Sequence, residues 1–327
     1  VRDSLKNGKI HIVENHLQDA FDQVRKNGCF TVTEEISVSD IYVICVPTPF
    51  SEESDGKVAD LAYVESAAAE VAKVLKKGDL VILESTVPPH TTAMMTDILT
   101  KESGLPKNDF YTAHCPERVL PGKILYELKH NDRIIGSADP EAAEMTKSLY
   151  ETFVSGGHCY VCDDVTAELC KLAENTFRDI NIAYANQLSM LCREAGIDVF
   201  RLIELANKHP RVSILTPGLG VGGHCLAVDP WVKEQVLNDI GYDKEKKIGI
   251  LGMAYKPNID DMRESPSLVL ATALKNDGYN VYGCEPNSHG DTISGIELLQ
   301  LDEMIESCDY LILALAHNEF KDDNIKV

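Results

Sequence analysis

Residues 39–49 read SDIYVICVPTP, and residues 308–318 read CDYLILALAHN. Each segment has an aspartate, a nearby aromatic residue, and then an apolar run that ends in a polar turn. Short apolar runs bounded by turns are typical of strands buried on both faces of a parallel sheet. Because the same pattern stands near both ends of the chain, the sequence predicts two α/β domains of similar plan.

The segments around these two runs alternate as a sheet covered by helices requires. From about residue 30 to 162, strands are predicted in IYVICV (41–46), DLVILES (79–85), FYTAHC (110–115) and RIIGS (133–137), and a helix in AYVESAAAEVAKVLKK (62–77). From about residue 245 to 327, strands are predicted in KKIGILGMA (246–254) and YNVYGCEP (279–286), and a helix in SPSLVLATALKNDG (265–278). This alternation favours a parallel sheet in each zone.

The segment between the two zones, residues 163–206, reads as entirely helical. Apolar residues recur there at three- and four-residue steps, as a buried helix face requires: Val165, Leu169, Leu172, Ile180, Ala183, Tyr184, Leu188 and Leu191. One helix of about 30 residues should run from a cap at Asp163 or Asp164 to a stop at Gly196. Because its apolar positions exceed what one flank needs, we expect a homodimer or a larger homo-oligomer. The predicted domains are residues 1–162, 163–240 and 241–327.

The composition restricts the class of protein. A formal net charge of −21 argues against a general nucleic-acid binder, since phosphate backbones attract basic surfaces. No apolar run approaches the roughly 20 residues of a membrane span, and the first residues do not resemble a signal peptide. The ten cysteines are scattered, which favours reduced thiols in the cytoplasm. For Cys159-x-x-Cys162, a place in a strand is favoured over a redox or zinc site.

Hydroxyl, acidic and basic residues follow several predicted strands. Pro47-Thr48-Pro49 follows the first strand, Ser85-Thr86 the second and Glu117-Arg118 the third. Ligands of open α/β sheets bind beyond the carboxyl ends of the strands, so these residues together predict a ligand cleft. In the last zone, Lys256 and Arg263 precede a predicted helix start, which indicates an anion site for a nucleotide diphosphate.

Two features leave alternatives open when they are considered alone. GVGGHC (220–225) is either a tight glycine turn with an inert cysteine or a loop whose backbone another molecule approaches closely. Lys171, Asn175 and Arg178 lie on one stripe of the predicted helix, at i, i+4 and i+7. Their spacing fits a solvated polar face as well as a functional one.

The motifs along the chain resemble those of the UDP-glucose/GDP-mannose dehydrogenase family. They occur in the family order: NGKIHIVE (7–14), VPTPF (46–50), ESTVPPHTT (84–92), CPERVLPG (115–122), ELCKLAENTFRDINIA (168–183), GVGGHCLAVDPW (220–231) and GMAYKPNIDDMRESP (252–266). The resemblance implies two Rossmann-like, doubly wound parallel-sheet domains joined by a central helical domain. It also implies an NAD-dependent enzyme that oxidises the C6 hydroxyl of a UDP-sugar to a carboxylate. NKHPRV (207–212), followed by the glycine-rich loop, favours UDP-N-acetyl-D-mannosamine as the substrate.

The resemblance implies catalytic roles for five residues. Cys225 would be the nucleophile that carries the substrate as a thiohemiacetal and then as a thioester. Lys171 would stabilise the oxyanion and exchange protons with it, and Asn175 would hold the same oxygen or an ordered water. Asp229 would orient Lys171 or the water, and Glu117 would help to position the hydrolytic water.

The binding residues implied by the resemblance are spread over all three predicted domains. Substrate contacts are expected from Arg118, Val119, Lys171, Asn175, Arg178, His209, Arg211, Gly222, Tyr255 and Lys256. NAD contacts are expected from Thr48, Thr86 and Arg263, and no metal is expected. One option is that a partner subunit supplies the loop from His209 to Arg211.

The sequence departs from the family pattern in two places. The first domain has no G-x-G-x-x-G fingerprint and no acidic residue for the adenine ribose, so we expect the sequence to begin inside that domain. After Trp231, the family continues with a helical stretch that is shortened here. Alternative functions are oxidation of UDP-N-acetylglucosamine or UDP-glucose, or non-catalytic binding of a nucleotide sugar. The intact set of Lys171, Cys225 and Asp229 favours an enzyme.

Overall fold

The computed structural model describes residues 1–12, 14–51, 58–218, 230–262, 265–288 and 290–320. In the helix that begins at Pro230, the side chains of residues 230–232, 234 and 235 lie outside this description. The chain forms two compact units, Val1–Asn175 and Thr176–Val327. Each unit has its own five-stranded sheet and its own apolar core.

The first unit is a sheet flanked by helices. Its strands are β1 (Ile41–Ile44), β2 (Leu80–Leu83), β3 (Tyr111–His114), β4 (Arg133–Gly136) and β5 (Cys159–Cys162). Its helices are α1 (Arg2–Lys6), α2 (Leu17–Lys26), α3 (Ala62–Ala72), α4 (Thr91–Ser103), α5 (Ile124–His130) and α6 (Pro140–Glu151), and a 3-10 turn spans Lys107–Asp109. The four predicted strands and the predicted helix are confirmed, with somewhat shorter bounds.

The strands of this sheet lie in sequence order from β1 to β5. Neighbouring strands are parallel except β3 and β4, which are antiparallel. All four residues of β2 are buried because this strand lies between β1 and β3 and is covered on both faces. Residues of β1, α3 and α4 complete the core on one face, and residues of α6 pack on the other. The carboxyl ends of β1, β2 and β3 therefore meet at one edge of the sheet, and the segments that follow them share that edge.

The second unit repeats this plan with a reversal in the strand order. Its strands are β6 (Lys247–Leu251), β7 (Asn280–Cys284), β8 (Thr292–Ile293), β9 (Ile296–Leu298) and β10 (Tyr310–Leu313). Its helices are α8 (Val199–Ala206), α9 (Pro230–Ile240), α10 (Pro266–Asn276) and α11 (Leu301–Ser307), with a 3-10 turn at Asn318–Phe320. The strand order is β10-β6-β7-β9-β8, and only β8 and β9 pair antiparallel. The order reverses at β6, which lies between β7 and β10.

Helix α7 (Asp164–Ala195) contains 32 residues and crosses the boundary between the two units. The Asp163 carboxylate accepts hydrogen bonds from the Thr166 amide at 2.8 Å and the Thr166 hydroxyl at 2.6 Å, which caps the first turn. Gly196, at φ +68°, follows the last turn. Both predicted ends of the helix are confirmed.

The predicted buried face of α7 is wrong in its bulky members. Leu169, Ile180, Tyr184 and Leu191 are between 48% and 62% exposed. The buried positions are instead Ala167, Glu168, Ile182, Ala185, Asn186 and Cys192. The buried side of the helix therefore carries small or polar side chains apart from Ile182, and most of its bulky apolar residues are exposed or half-buried.

Two mostly parallel sheets and a long helix confirm the predicted α/β class, with one antiparallel pair in each sheet as a departure. Within the described ranges, no helix combines the length and apolar character needed to cross a bilayer. The nine cysteines of those ranges are free thiols, including Cys159 and Cys162 on β5.

Candidate active site

Hydroxyl groups tie together the segments that follow β1 and β2. The Ser85 hydroxyl donates to the Val46 carbonyl at 2.8 Å and accepts from the Val46 amide at 2.9 Å. The Thr48 hydroxyl donates to the Thr86 carbonyl at 2.7 Å, and both threonines are half-buried. The two threonines predicted to contact NAD therefore lie side by side at the edge of the sheet where such folds bind nucleotides.

Glu117 follows β3 at the same edge. Its amide donates to the Glu84 carbonyl at 3.2 Å, and its carboxylate accepts from the Val119 amide. Burial raises the pKa of Glu117 above its usual range, although the Val119 amide opposes this shift. The positive charges of Lys171 and Arg133 also favour the ionised carboxylate. Of the predicted catalytic residues, Lys171 is therefore near enough to Glu117 for its charge to act on the carboxylate.

A buried arginine that the sequence analysis did not single out supports this edge. Arg133 is 2% exposed, and its Nη1 lies 3.6 Å from Glu84 Oε1. Its guanidinium carbon lies 5.1 Å from the centre of the Tyr150 ring, and Tyr150 donates its hydroxyl to Glu84. Burial raises the pKa of the nearby Cys115 thiol to about 12, so this thiol is protonated at neutral pH and is a poor nucleophile.

The first turns of α7 are fixed to the sheet and to α4. A Cβ atom at Gly136 would lie 2.5 Å from the Ala167 Cβ, so only glycine permits this close approach of β4 to the helix. The fully buried Glu168 accepts from the His90 amide at 2.6 Å, and from the Thr92 amide at 2.7 Å and hydroxyl at 2.6 Å. A carboxylate at the N-terminus of α4 is favoured by the helix dipole.

An ion pair makes a further connection to α7. Arg118 donates from Nη2 to Glu174 Oε1 at 2.6 Å, and from Nε to Glu174 Oε2 at 3.1 Å. Its Nη1 donates to the Asp132 carbonyl at 2.8 Å. The helix segment that carries Lys171 is therefore anchored on both sides, at Glu168 and at Glu174. The guanidinium of Arg118 is bonded to Glu174 and Asp132, and its contact with the substrate stays a prediction.

Three further predicted site residues, Val119, Asn175 and Arg178, differ in their exposure to solvent. Val119 and Asn175 are half-buried, and Asn175 lies one turn after Lys171. Arg178 is exposed and belongs to the second unit. Of the predicted stripe, Lys171 and Asn175 therefore belong to the first unit and Arg178 to the second.

A closed loop after α8 presents the predicted basic residues. Asn207 donates to the Ile214 carbonyl at 3.0 Å and accepts from the Ile214 amide at 2.8 Å, which closes the loop. Within it, the Arg211 amide donates to His209 Nδ1 at 3.3 Å, and the side chains of Lys208, His209 and Arg211 are exposed. The loop is therefore an exposed, basic surface of an acidic protein.

The chain that enters the glycine-rich loop is anchored by a residue that the sequence analysis missed. Asn186, buried on α7, accepts from the Gly218 amide at 2.9 Å. Gly222, Cys225, Asp229 and Arg263 lie outside the described residues, and their predicted roles stay predictions.

Tyr255 and Lys256 lie in the segment after β6. Both are half-buried, and Lys256 Nζ lies 5.0 Å from the centre of the Tyr255 ring. The Tyr255 amide donates to the Asp261 carbonyl at 2.7 Å, which closes the segment into a loop. This arrangement places an aromatic ring and a cation at the carboxyl edge of the second sheet.

Three family models match the chain in order. Residues 2–154 match the NAD binding domain of the UDP-glucose/GDP-mannose dehydrogenase family, residues 165–248 its central domain and residues 249–327 its UDP binding domain. The chain belongs to the UDP-glucose/GDP-mannose dehydrogenase family. As a member of this family it carries the NAD-binding domain, so the predicted cofactor is confirmed although the glycine fingerprint is absent from the sequence. The predicted domain limits at 162/163 and 240/241 stay predictions.

Relatives in this family share about two-fifths of their residues with the chain. An NDP-N-acetyl-D-galactosaminuronic acid dehydrogenase of Ralstonia nicotianae is 41% identical over 98% of this chain and 83% of its own length. A UDP-N-acetyl-D-mannosamine dehydrogenase of Methanococcus maripaludis is 41% identical over 98% of this chain and 79% of its own. The solved structure of a UDP-D-ManNAc dehydrogenase from Pyrococcus horikoshii has a TM-score of 0.88 at 37% identity, over 99% of this chain and 83% of that one.

The alignments are longer than this dehydrogenase-family chain itself. They extend over 356 positions for the Ralstonia relative and 351 for the Methanococcus relative, against 327 residues here. The relatives therefore contain residues within the aligned range that this chain lacks.

Proposed function

We propose that this chain oxidises the C6 hydroxyl of UDP-N-acetyl-D-mannosamine to a carboxylate, in two NAD-dependent steps at one carbon. The observation that carries the proposal is that the charge of Lys171 acts on the Glu117 carboxylate, which follows β3 at the sheet edge that also holds Thr48 and Thr86. A cation whose charge acts on a half-buried carboxylate suits a reaction that passes through an oxyanion and ends in hydrolysis.

The segments after β1 and β2 fit a dinucleotide. Thr48 and Thr86 present adjoining polar groups, and prolines at 47 and 49 limit the backbone freedom of the turn. NAD, when bound, accepts the hydride that leaves C6 of the sugar. Thr48, Thr86 and Arg263 are the residues that we assign to holding it.

In the first oxidation, the C6 hydroxyl loses a proton and a hydride and becomes an aldehyde. The hydroxyl proton passes to an ordered water that Asp229 orients, and the Lys171 ammonium stabilises the negative charge that develops on the oxygen. Asn175, one helical turn further, holds the same oxygen through its amide group. The anchors at Glu168 and Glu174 keep this pair in place.

In the second oxidation, the Cys225 thiolate adds to the aldehyde carbon and forms a thiohemiacetal. Loss of a second hydride and a proton gives a thioester. Water, positioned by Glu117, attacks the thioester carbonyl and the C–S bond breaks. The carboxylate leaves, Cys225 is restored as a thiolate, and the two protons of the water pass to solvent. Asp229 orients Lys171 during these steps.

The sugar nucleotide is assigned to residues from each part of the chain: Arg118, Val119, Arg178, His209, Arg211, Gly222, Tyr255 and Lys256. UDP-N-acetyl-D-mannosamine is favoured by the basic segment NKHPRV and by the relatives from Methanococcus and Pyrococcus. A second candidate is an NDP-N-acetyl-D-galactosamine substrate, because the Ralstonia relative with the corresponding name is equally identical, at 41%.

A panel of nucleotide sugars tests both candidates. The protein is mixed with NAD and, in separate assays, with the UDP forms of N-acetylmannosamine, N-acetylgalactosamine, N-acetylglucosamine and glucose, and NADH is followed by absorbance. We expect the N-acetylmannosamine form to give the highest kcat/KM. Preference for another sugar would replace the substrate, and no turnover with any of them would favour a protein that only binds nucleotide sugars.

The exposed side of α7 supports a homodimer. Phe177, Ile180, Tyr184 and Leu191 recur at steps of three, four and seven residues and are between 52% and 68% exposed, so they form one continuous apolar stripe. An isologous dimer buries the same stripe on both copies. We assign this stripe to a second copy of the chain.

A further inference from the structure

A buried carboxylate–histidine pair lies at the carboxyl ends of two strands of the second sheet. Glu285 directly follows β7, and His317 follows β10. The two side chains are 0% exposed, and Glu285 Oε2 lies 3.1 Å from His317 Nε2. β6 lies between those two strands, so the pair spans the position where the strand order reverses.

The hydrogen bonds around His317 fix its protonation. A backbone amide can only donate, and the Asn258 amide lies 2.9 Å from His317 Nδ1, so Nδ1 is the acceptor. The side-chain amide nitrogen of Asn287 lies 3.2 Å from the same atom and donates to it as well. The ring proton is therefore on Nε2, from which it is donated to Glu285.

Glu285 holds the start of the loop after β6. Its Oε2 accepts from the Met253 amide at 2.8 Å and the Ala254 amide at 2.9 Å. Burial alone would raise the pKa of Glu285, but the hydrogen bonds from His317, Asn287 and Met253 hold it below its usual range. The carboxylate therefore stays ionised in the interior and accepts the hydrogen bonds of the two amides.

The same pair holds the end of that loop. Asn258 adopts φ +63°, a left-handed conformation that asparagine tolerates better than most residues. Its amide donates to His317, and its side-chain oxygen accepts from the Asn318 amide at 2.8 Å. Tyr255 and Lys256 lie between the two anchored ends.

We propose that the Glu285–His317 pair positions the loop from Met253 to Asn258, so that Tyr255 and Lys256 are held ready for the uridine diphosphate of the substrate. In open α/β sheets, a ligand phosphate usually binds at the crevice where the strand order reverses. Here the Glu285 carboxylate already occupies the amide donors of Met253 and Ala254. We therefore assign the diphosphate to the side chains that the loop presents rather than to these two amides. The proposal rests on the function proposed above.

Two substitutions of His317 separate its two hydrogen bonds. His317→Asn keeps an acceptor near the Nδ1 position, and His317→Gln keeps a donor near the Nε2 position but loses the bond from Asn258. Met304→Ala, a cavity variant at a fully buried position of α11, is the matched control for a general loss of stability. Amide hydrogen exchange is followed at Asn258, Met253 and Ala254, and UDP alone is titrated calorimetrically into each full-length variant.

We expect His317→Gln to accelerate exchange at Asn258 and to weaken UDP binding, each by about 5- to 10-fold, the loss expected for one hydrogen bond. His317→Asn should keep exchange at Asn258 close to that of the unaltered protein. Because it loses the bond to Glu285, it should accelerate exchange at Met253 and Ala254 and weaken UDP binding by a similar factor. Met304→Ala should keep the UDP affinity. In the unaltered protein, which tests the proposal even if a variant does not fold, UDP should slow exchange at Asn258.

Unchanged exchange at Asn258 in His317→Gln, or no effect of UDP on the unaltered protein, would overturn the positioning role. Faster exchange with unchanged UDP affinity would overturn the link to the substrate, because the loop would then be held for another purpose. In both cases NADH formation from a UDP-sugar by the unaltered protein would still stand as the test of the proposed function. The failure of one is therefore distinguishable from the failure of the other.

Discussion

The two parts of α7 use one helical pattern for different purposes. In residues 164–175, the helix is fixed by polar and small side chains: Ala167 against Gly136, Glu168 at the start of α4, and Glu174 on Arg118. In residues 176–195, Asn186 and the ion pair of Arg193 with Asp239 are polar anchors. The bulky apolar residues that face outward there are Phe177, Ile180, Tyr184 and Leu191. Apolar spacing alone therefore does not show which face of a helix its own chain covers. The polar anchors assign the chemistry to the first part of α7, and the exposed apolar residues assign assembly to the second part.

The largest expected effect falls on the loop that follows the Asn186 anchor. Cys225→Ala should lower turnover by about 10³-fold or more, because no other group can form the thioester. The intact enzyme should release two NADH per sugar acid, measured by absorbance and product analysis. Cys225→Ser should trap an ester that intact-mass spectrometry detects on residue 225.

Cys170→Ala is the matched control for Cys225, since Cys170 is a free, half-buried thiol next to Lys171 on the first part of α7. It should keep turnover within a few-fold. Full two-NADH stoichiometry at a near-normal rate in Cys225→Ala would show that the Cys225 thiol is structural.

The second effect concerns the exposed apolar stripe of α7, from Phe177 to Leu191. Ile180→Asp should raise the dimer dissociation constant by about 100-fold or more, because an unpaired carboxylate would be buried in the interface. Sedimentation velocity at micromolar concentration measures the shift. Ile305→Asp replaces an exposed isoleucine of α11 and should leave the assembly unchanged. A monomeric unaltered protein, or equal effects of both variants, would contradict the assignment of the stripe.

The third effect tests the anchoring of the first part. Glu168→Ala should lower the free energy of unfolding by about 2 kcal/mol or more, because the His90 amide, the Thr92 amide and the Thr92 hydroxyl lose their buried acceptor. Urea denaturation measures it, and kcat should also fall since Lys171 lies one turn away. Glu174→Ala removes a partly exposed ion pair and should cost less, within about 1 kcal/mol. Equal costs would show that α7 is not held mainly by Glu168.

The fourth effect concerns a cation of the second unit. Arg211→Ala should weaken UDP-sugar binding by about 10-fold, as expected for one charged hydrogen bond, with little change in NAD affinity. Calorimetric titration of each ligand measures the two losses. Arg201→Ala is the control, because Arg201 is an exposed arginine of α8 that pairs with Glu204 at 2.7 Å. Equal losses of the two ligands would assign Arg211 to a different role.

The sequence predicted the elements better than the contacts between them. Strand runs and the ends of α7 depend on local periodicity and on caps such as Asp163 and Gly196, which a single sequence displays. Glu168, and the pairing of Glu285 with His317, depend on residues far apart in the chain. One signal for Glu285 was present, because it is an acidic residue at the end of the predicted strand 279–286. The covered face of α7 could not be predicted, since both of its faces carry apolar residues.

The smallest expected effect concerns Glu117 of the first unit. Its partial burial raises the pKa of the carboxyl group and so disfavours the ionised form. A carboxyl group with a raised pKa in the folded protein binds its proton more tightly there than in the unfolded chain, so folding stability falls as pH rises through this window. The window begins near the ordinary glutamate value of about 4.3. Glu117→Gln removes this pH-dependent loss of folding stability, because glutamine does not ionise, and its side-chain oxygen still accepts from the Val119 amide. At pH 7 its melting temperature should therefore rise slightly, by about 1–2 °C, while thioester hydrolysis slows. At pH 4 the melting temperatures of the two proteins should converge in a thermal scan. A difference that is the same at both pH values would mean that ionisation of Glu117 does not cause it.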